Sequence, residues 1–221
     1  MKFHFLTIFP GMINGYISEA MLKRAKEKKL ADYVAVNIRD YSKERHQKTD
    51  DRPYGGGPGM VMTPEPILRA YSKLKMKKGG KVKVIQLSPS GTMFTNTIAK
   101  KMAKSYTDIV FVCGRYEGVD DRVRKLLKAD EYSIGDYVLT GGELPALVMA
   151  DAITRQIPGV LGDQESLEEA RVASPRVYTR PDVLLWPKAK KGEKQKKHKV
   201  PEVLVGGHHK KIEEWRKNQQ K

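Results

Sequence analysis

The chain has 221 residues and a formal net charge of +16, from 42 Lys and Arg against 26 Asp and Glu. This imbalance predicts a polyanionic partner, either nucleic acid or an anionic membrane surface. No apolar run approaches the roughly 20 residues that span a bilayer and no cleavage pattern follows the start, so a soluble, cytoplasmic protein is expected, with no membrane partner. The single cysteine, Cys113, rules out an internal disulfide and lies in an apolar run that indicates burial. The five histidines lack metal-ligand spacing, so no metal is predicted.

Strand-like and helix-like segments alternate from the N-terminus onward. The predicted strands are 3–9, 33–38, 82–87 and 109–113, and the predicted helices are 12–28, 64–76, 96–105 and 119–128. The stretch 131–155 adds a short strand, a loop and a helix that begins near Glu143. Thr63 and Pro64 supply an N-cap and a first-turn proline for the second of these helices. Alternation at this spacing predicts an α/β fold, in which a mostly parallel sheet is covered by helices on both faces.

Ligands of such sheets bind beyond the carboxyl ends of the strands. Three loops in that position stand out, at residues 88–91, 114–118 and 135–142. None contains G-x-G-x-x-G or G-x-x-x-x-G-K-[ST], which argues against a dinucleotide or a nucleoside triphosphate. A pocket of loop backbone with one carboxylate, Glu117, and the aromatic rings of Tyr116 and Tyr137 would suit a nucleoside that carries a positive charge.

The third loop belongs to the most unusual stretch of the chain, EYSIGDYVLTGGELPALVMADAITR at 131–155. Three glycines flank Tyr137, Val138 and Leu139, so backbone groups can approach a ligand closely beside apolar side chains. The alternative is a plain turn between a strand and a helix.

The polar segment 39–60 ends in a glycine cluster and is longer than most structureless loops. Its basic side chains, Arg39, Lys43, Arg45, His46, Lys48 and Arg52, could follow a phosphate backbone while Tyr54 stacks on a base. A solvated loop without a function is the alternative.

Five motifs resemble a known family in sequence order. They are DDRPYGGGPGM at 50–60, LSPSG at 87–91, VCGRYEG at 112–118, SIGDYVLTGGELPA at 133–146 and RQIPGVLG at 155–162. Together they resemble the bacterial tRNA (guanine-N1)-methyltransferase family TrmD, of the SPOUT class. The resemblance implies a homodimer with a deep trefoil knot that binds S-adenosylmethionine, and an active site built across the dimer interface. The knot rests on the resemblance alone.

The family's implied activity is methylation of the N1 nitrogen of guanosine 37, 3′ of the anticodon in tRNA. The positions that match its cofactor site are Leu87, Ser88, Pro89, Gly114, Tyr116, Glu117, Ile134, Gly135, Asp136, Tyr137, Val138, Leu139, Gly141 and Gly142. Arg155 matches the arginine that stabilises charge on the guanine oxygen. A helix C-terminal arginine with no catalytic role is the alternative. By the same resemblance, Asp51, Arg52 and Arg115 are expected to contact RNA.

One expected catalytic residue is missing. The family places an aspartate, the presumed general base, eight residues after the last glycine of GVLG, and that position is Ala170 here. Glu169 is therefore the predicted base, although an acidic surface run is equally compatible with the pattern. A homologue that binds S-adenosylmethionine and RNA but has lost or changed the chemistry is the alternative function.

The resemblance divides the chain into a SPOUT methyltransferase domain (1–162), a linker (163–177) and a shortened helical, basic C-terminal region (178–221). From residue 188 onward there are twelve Lys or Arg and four acidic residues, which is half of the net charge. The run KAKKGEKQKKHK at 188–199 is expected to be flexible and to bind tRNA in a salt-sensitive manner.

Overall fold

A computed structural model describes residues 1–161, 176–187 and 195–219. These residues fall into two compact units, Met1–Gly162 and Asp163–Lys221. In chain order the first unit contains β1 (Lys2–Thr7), α1 (Pro10–Ile17), α2 (Ala20–Glu27), β2 (Asp32–Asn37), β3 (Asp50–Asp51), β4 (Val61–Met62), α3 (Pro64–Ser72), β5 (Val82–Met93), α4 (Asn96–Ser105), β6 (Asp108–Val112), α5 (Asp121–Leu127), β7 (Asp130–Ser133) and α6 (Glu143–Arg155).

Five strands form one parallel sheet in the order β2-β1-β6-β5-β7. Alternate side chains of its central strands enter two separate cores, as expected for a sheet buried on both faces. Phe5 and Phe111 stack at 5.2 Å in the core that receives α1, α2, α4 and α6, whereas Leu6 and Val112 face α3 and α5. The predicted α/β fold is thereby confirmed. Cys113 is fully buried, as predicted, and burial raises the pKa of its thiol.

The predicted helix 12–28 is wrong as a single element. The structure has α1 and α2 instead, because the chain turns at Ser18, whose hydroxyl donates to the carbonyl of Gly15 at 3.0 Å. Glu19 is then extended, with φ −122° and ψ 162°, before α2 begins. Gly15 and Ser18 both lie within the predicted helix, and both are weaker helix formers than alanine. They permit this break.

Smaller differences concern the ends of elements. The third helix stops at Ser72 rather than at 76, and Thr63 makes no side-chain cap although its backbone is extended as a cap requires. The strand predicted at 82–87 continues to Met93 through an irregularity in which Leu87 and Thr92 both pair with Tyr132. The segment 39–60 has some regular structure. A 3₁₀ turn (Ile38–Tyr41) overlaps its start, and it contains a second 3₁₀ turn (Arg45–Gln47) and β3, which pairs with β4.

The second unit contains β8 (Val183–Leu185), β9 (Lys197–Lys199), α7 (Glu202–Val205) and α8 (His209–Asn218). The two strands form an antiparallel pair, and Tyr178 contacts Trp215 edge-on with ring centroids 6.2 Å apart. Part of the run predicted to be flexible, Lys197–Lys199, is therefore a strand. The rest of that run, from residue 188 to residue 194, lies outside the described residues.

Candidate functional site: a glycine-lined cleft

A cleft opens at the carboxyl edge of the sheet, between the loops that follow β5, β6 and β7. It encloses about 710 Å³ of empty space, part of it open to solvent. Its lining residues are Leu87, Ser88, Pro89, Gly114, Arg115, Tyr116, Glu117, Gly118, Tyr132, Ser133, Ile134, Gly135, Tyr137, Val138, Leu139, Thr140, Gly141, Gly142 and Pro145. Every residue predicted for the cofactor site lines this cleft except Asp136, which is exposed beside it.

The glycines allow the three loops to meet. A Cβ on Gly142 would lie 2.8 Å from the Cα of Cys113, and its amide donates to the carbonyl of Gly114 at 2.8 Å. A Cβ on Gly135 would lie 2.2 Å from the ring of Tyr137. Neither glycine has a positive φ. The sequence predicts that these glycines let backbone approach a ligand closely. In the structure they are required because Gly142 packs against the backbone of Cys113 and Gly135 packs against the ring of Tyr137.

The loop after β6 is strained and is held from outside the cleft. Tyr116 has a φ of +61°, which is uncommon for a bulky residue and is a feature that tends to mark functional sites. The next residue, Glu117, accepts a hydrogen bond from the backbone amide of Met60 at 2.6 Å, while its own amide donates to the carbonyl of Met60 at 3.1 Å. The segment predicted to contact RNA therefore ends directly against the cleft.

A buried carboxylate that the sequence argument missed lies behind the cleft wall. Glu143, the first residue of α6, has no exposed surface and accepts hydrogen bonds from the hydroxyl of Thr7 at 2.7 Å and from Nε of Arg115 at 2.9 Å. The signal was present in the motif GGELPA, where a charged residue opens the helix just before an apolar run. Arg115, predicted to contact RNA, thus has its guanidinium directed into the protein.

Arg155 lies far from the cleft of its own chain. Arg155 is twelve positions after Glu143 and ten after Pro145, which lines the cleft, so it lies about 15 Å along the helix axis from the nearest cleft residue of α6. It lines a different cavity, together with Tyr16, Glu19 and Leu161. The structure does not bring Arg155 together with the predicted cofactor residues within one chain.

The other predicted RNA contacts lie on the surface. Asp51 and Arg52 are exposed, and the backbone amide of Arg52 and the ammonium of Lys48 lower the pKa of the Asp51 carboxyl. Tyr54 is completely exposed, as a base-stacking ring would have to be. Glu169 and Ala170 lie outside the described residues. Within the described ranges, no group of His, Cys, Asp and Glu could hold a metal ion, and no helix is long and apolar enough to cross a membrane.

Comparison with known proteins places the chain in a family. The family model described as tRNA (Guanine-1)-methyltransferase TrmD matches residues 1–221. A tRNA (guanine-N(1)-)-methyltransferase of Desulforamulus reducens is 46% identical over 220 residues, which are 99% of this chain and 84% of the relative. One of Clostridioides difficile is also 46% identical over 220 residues, covering 99% of this chain and 92% of the relative. The crystal structure of tRNA (m1G37) methyltransferase from Aquifex aeolicus superposes with a TM-score of 0.76 at 38% identity, over 97% of this chain and 87% of that one.

Fold and cleft together define an α/β protein of the SPOUT type. The chain belongs to the TrmD family of tRNA (guanine-N1)-methyltransferases, which is a family of enzymes. The resemblance found in the five motifs is confirmed. The knot stays a prediction.

Proposed function

We propose that the chain transfers a methyl group from S-adenosylmethionine to the N1 nitrogen of guanosine 37 in tRNA. The observation that carries this proposal is the convergence of thirteen residues, chosen from the family motifs, on one cleft at the carboxyl edge of the sheet of a TrmD family member. The alternative, a homologue that has lost the chemistry, gains no support, because the relatives that match nearly the whole chain bear the name of the enzyme.

The residues present fit a sulfonium nucleoside. The cleft offers loop backbone and apolar walls to an adenosine, and Glu117 places a carboxylate at its rim for a positively charged group. One oxygen of that carboxylate is already held by the amide of Met60, which fixes its orientation. S-adenosylmethionine supplies a methyl group that is already activated, so the chain needs no nucleophile of its own. It must hold the guanine nitrogen in line and remove its proton.

Arg155 is the proposed stabiliser of negative charge on the guanine oxygen. Since Arg155 lies about 15 Å along α6 from Pro145, which lines the cleft, we infer that one chain does not supply both to a single guanine. We therefore place the active site between the cleft of one subunit and Arg155 of a second copy. This is the arrangement that the family resemblance led us to expect.

An exposed apolar face is available for that second copy. Leu144 and Val148 on α6 are 52% and 48% exposed, and they are spaced so that they share one face with Arg155. The neighbouring helix α1 adds Met12 and Tyr16, which are 41% and 49% exposed. Isologous pairing of this face would bury it and would bring the Arg155 of each subunit toward its partner.

The tRNA is proposed to lie along the exposed segment that contains Asp51, Arg52 and Tyr54, which is anchored to the cleft through Met60 and Glu117. The second unit supplies further positive charge, since Lys196, Lys197 and Lys199 are exposed on or beside β9. Binding to a polyanion through such lysines predicts affinity that falls steeply with salt. A cytoplasmic location follows from this substrate. Glu169 remains the proposed base.

A methyl-transfer assay tests the proposal. Purified protein is incubated with unmodified tRNA and S-adenosylmethionine that carries a labelled methyl group, and the digested nucleosides are identified by mass. We expect 1-methylguanosine at position 37, and none with a tRNA that has adenosine there. Absence of the product, when both the cofactor and the tRNA bind, would contradict the proposal.

A further inference from the structure

The Arg115 guanidinium makes contacts on several sides. Nε donates to the buried carboxylate of Glu143 at 2.9 Å, and Nη1 donates to the backbone carbonyl of Thr140 at 3.2 Å. The group also lies over the ring of Phe9, with its central carbon 4.7 Å from the ring centroid. Only 16% of the side chain is exposed.

Thr140 belongs to the loop that forms one wall of the cleft, and the loop rests directly on the guanidinium. A Cβ on Gly141 would lie 2.2 Å from Nε of Arg115, so the backbone there is in contact with the charged group. The loop between β7 and α6 makes few other polar contacts at this end, apart from the bond between the Gly142 amide and the Gly114 carbonyl. Arg115 is therefore the principal support beneath residues 140 and 141.

Glu143 fixes the position of this support. Both of its carboxylate oxygens are used, one by Arg115 and the other by the hydroxyl of Thr7 at the end of β1. The first turn of a helix also favours a negative charge, because the amides at that end are unsatisfied. The ion pair is thus tied at once to β1, to the loop after β6 and to α6.

We infer that Arg115 and Glu143 are positioning residues, which hold the loop at residues 139–142 in the shape that receives the methyl donor. The inference rests on the proposed function, since it concerns how the same cleft binds S-adenosylmethionine. It differs from the expectation that Arg115 contacts RNA. A phosphate contact needs available N–H groups, whereas all three nitrogens of Arg115 already have partners in the chain: Nε bonds Glu143, Nη1 bonds Thr140 and Nη2 lies 3.1 Å from the sulfur of Met12.

Replacing Arg115 alone is not a clean test, because it strands the buried Glu143 charge and could weaken the fold itself. The double variant Arg115→Met/Glu143→Gln removes both charges and keeps an acceptor for Thr7. We expect the single variant Arg115→Met to unfold at a lower temperature and the double variant to recover much of that loss. If the two residues only stabilised the fold, the double variant would recover cofactor affinity together with stability.

The measurement is the dissociation constant of S-adenosylmethionine by calorimetry, with tRNA affinity measured at several salt concentrations. For both variants we expect cofactor affinity to fall about 10- to 100-fold, the effect of losing a charge-assisted hydrogen bond that shapes the site. Arg115→Lys keeps the charge but cannot make both bonds, so its cofactor affinity should lie between those of the wild type and Arg115→Met. The control is Arg124→Ala, which removes a surface arginine paired with Asp121 at 2.7 Å and should leave cofactor affinity unchanged.

Two results would overturn the inference. One is wild-type cofactor affinity in the double variant. The other is unchanged cofactor affinity in Arg115→Met together with a weaker salt dependence of tRNA binding. The slope of log affinity against log salt concentration would then be shallower by about one, which is the sign of a lost phosphate contact. If the wild-type protein itself bound no S-adenosylmethionine, the proposed function would fail first, and the inference with it.

Discussion

Gly142 and Cys113 are in backbone contact where the cleft loop meets the end of β6, so that a Cβ on Gly142 would lie 2.8 Å from the Cα of Cys113. We expect Gly142→Ala to push the start of α6 away from β6 and to destabilise the protein by about 1–3 kcal/mol, with weaker binding of S-adenosylmethionine. Urea unfolding and calorimetry measure the two effects. Gly11→Ala is the control, since an added Cβ there meets nothing within 4 Å. Equal behaviour of the two variants would contradict the packing argument.

The buried pair of His4 and Asp108 should make stability depend on pH. Nε2 of His4 lies 3.1 Å from Oδ1 of Asp108, and both side chains are 1% exposed. Burial lowers the pKa of His4 below its ordinary value of 6.5, and the bond to Asp108 only partly opposes this. Below pH 6.5 the unfolded chain therefore takes up a proton that the native His4 resists, and the free energy of unfolding falls as the pH drops, with a slope below the one-proton limit of about 1.4 kcal/mol per pH unit.

Urea unfolding between pH 7.5 and pH 5 measures this slope. The variant His4→Gln removes the titrating group and should give a flatter profile, whatever its stability at neutral pH. A wild-type profile parallel to that of the variant, or one that rises on acidification, would show that His4 does not contribute as described.

The exposed apolar face of α6 should control the oligomeric state. If the proposed dimer forms through this face, we expect Leu144→Glu/Val148→Glu to give a monomer in sedimentation, because two carboxylates would be buried without partners. Methyl transfer should be lost while cofactor binding persists, since the cleft lies within one chain. Leu126→Glu is the control, because Leu126 is 66% exposed on α5, which packs against the opposite face of the sheet. Dimers that survive the double substitution would exclude this face as the interface.

Much of this organisation follows from local sequence. The bounds of α4 and the start of α6 were predicted, because apolar spacing and glycine breaks are local signals. The contact that requires a glycine at 142 was not predicted, since Cys113, against which Gly142 packs, is distant in sequence. The same holds for Glu143, whose partners Thr7 and Arg115 come from the end of β1 and from the loop after β6. Sequence motifs named the residues of the cleft, but only the length of α6 shows how far Arg155 lies from the cleft of its own chain.

Ala170 occupies the position of the family's presumed general base, an aspartate, so the rate of methyl transfer should depend on which residue replaces that base. A positioned carboxylate that removes the guanine proton typically contributes about 10²–10⁴-fold. If Glu169 takes this role, Glu169→Gln should lower the rate of methyl transfer toward the rate reached when no side chain removes the guanine proton. Ala170→Asp should raise the rate. Single-turnover rates with labelled cofactor distinguish the chemical step from binding. Unchanged rates in both variants would mean that neither position holds the base.

Mixed dimers test most directly whether one active site combines the cleft of one subunit with Arg155 of another. Arg155→Ala lacks the charge-stabilising group, and Leu139→Trp fills the cleft, so each variant alone should form almost no 1-methylguanosine. After subunit exchange at equal concentrations, half of the dimers are mixed and each carries one intact site, so about a quarter of wild-type activity should return. A mixture no more active than the two separate variants would contradict an active site built from two chains.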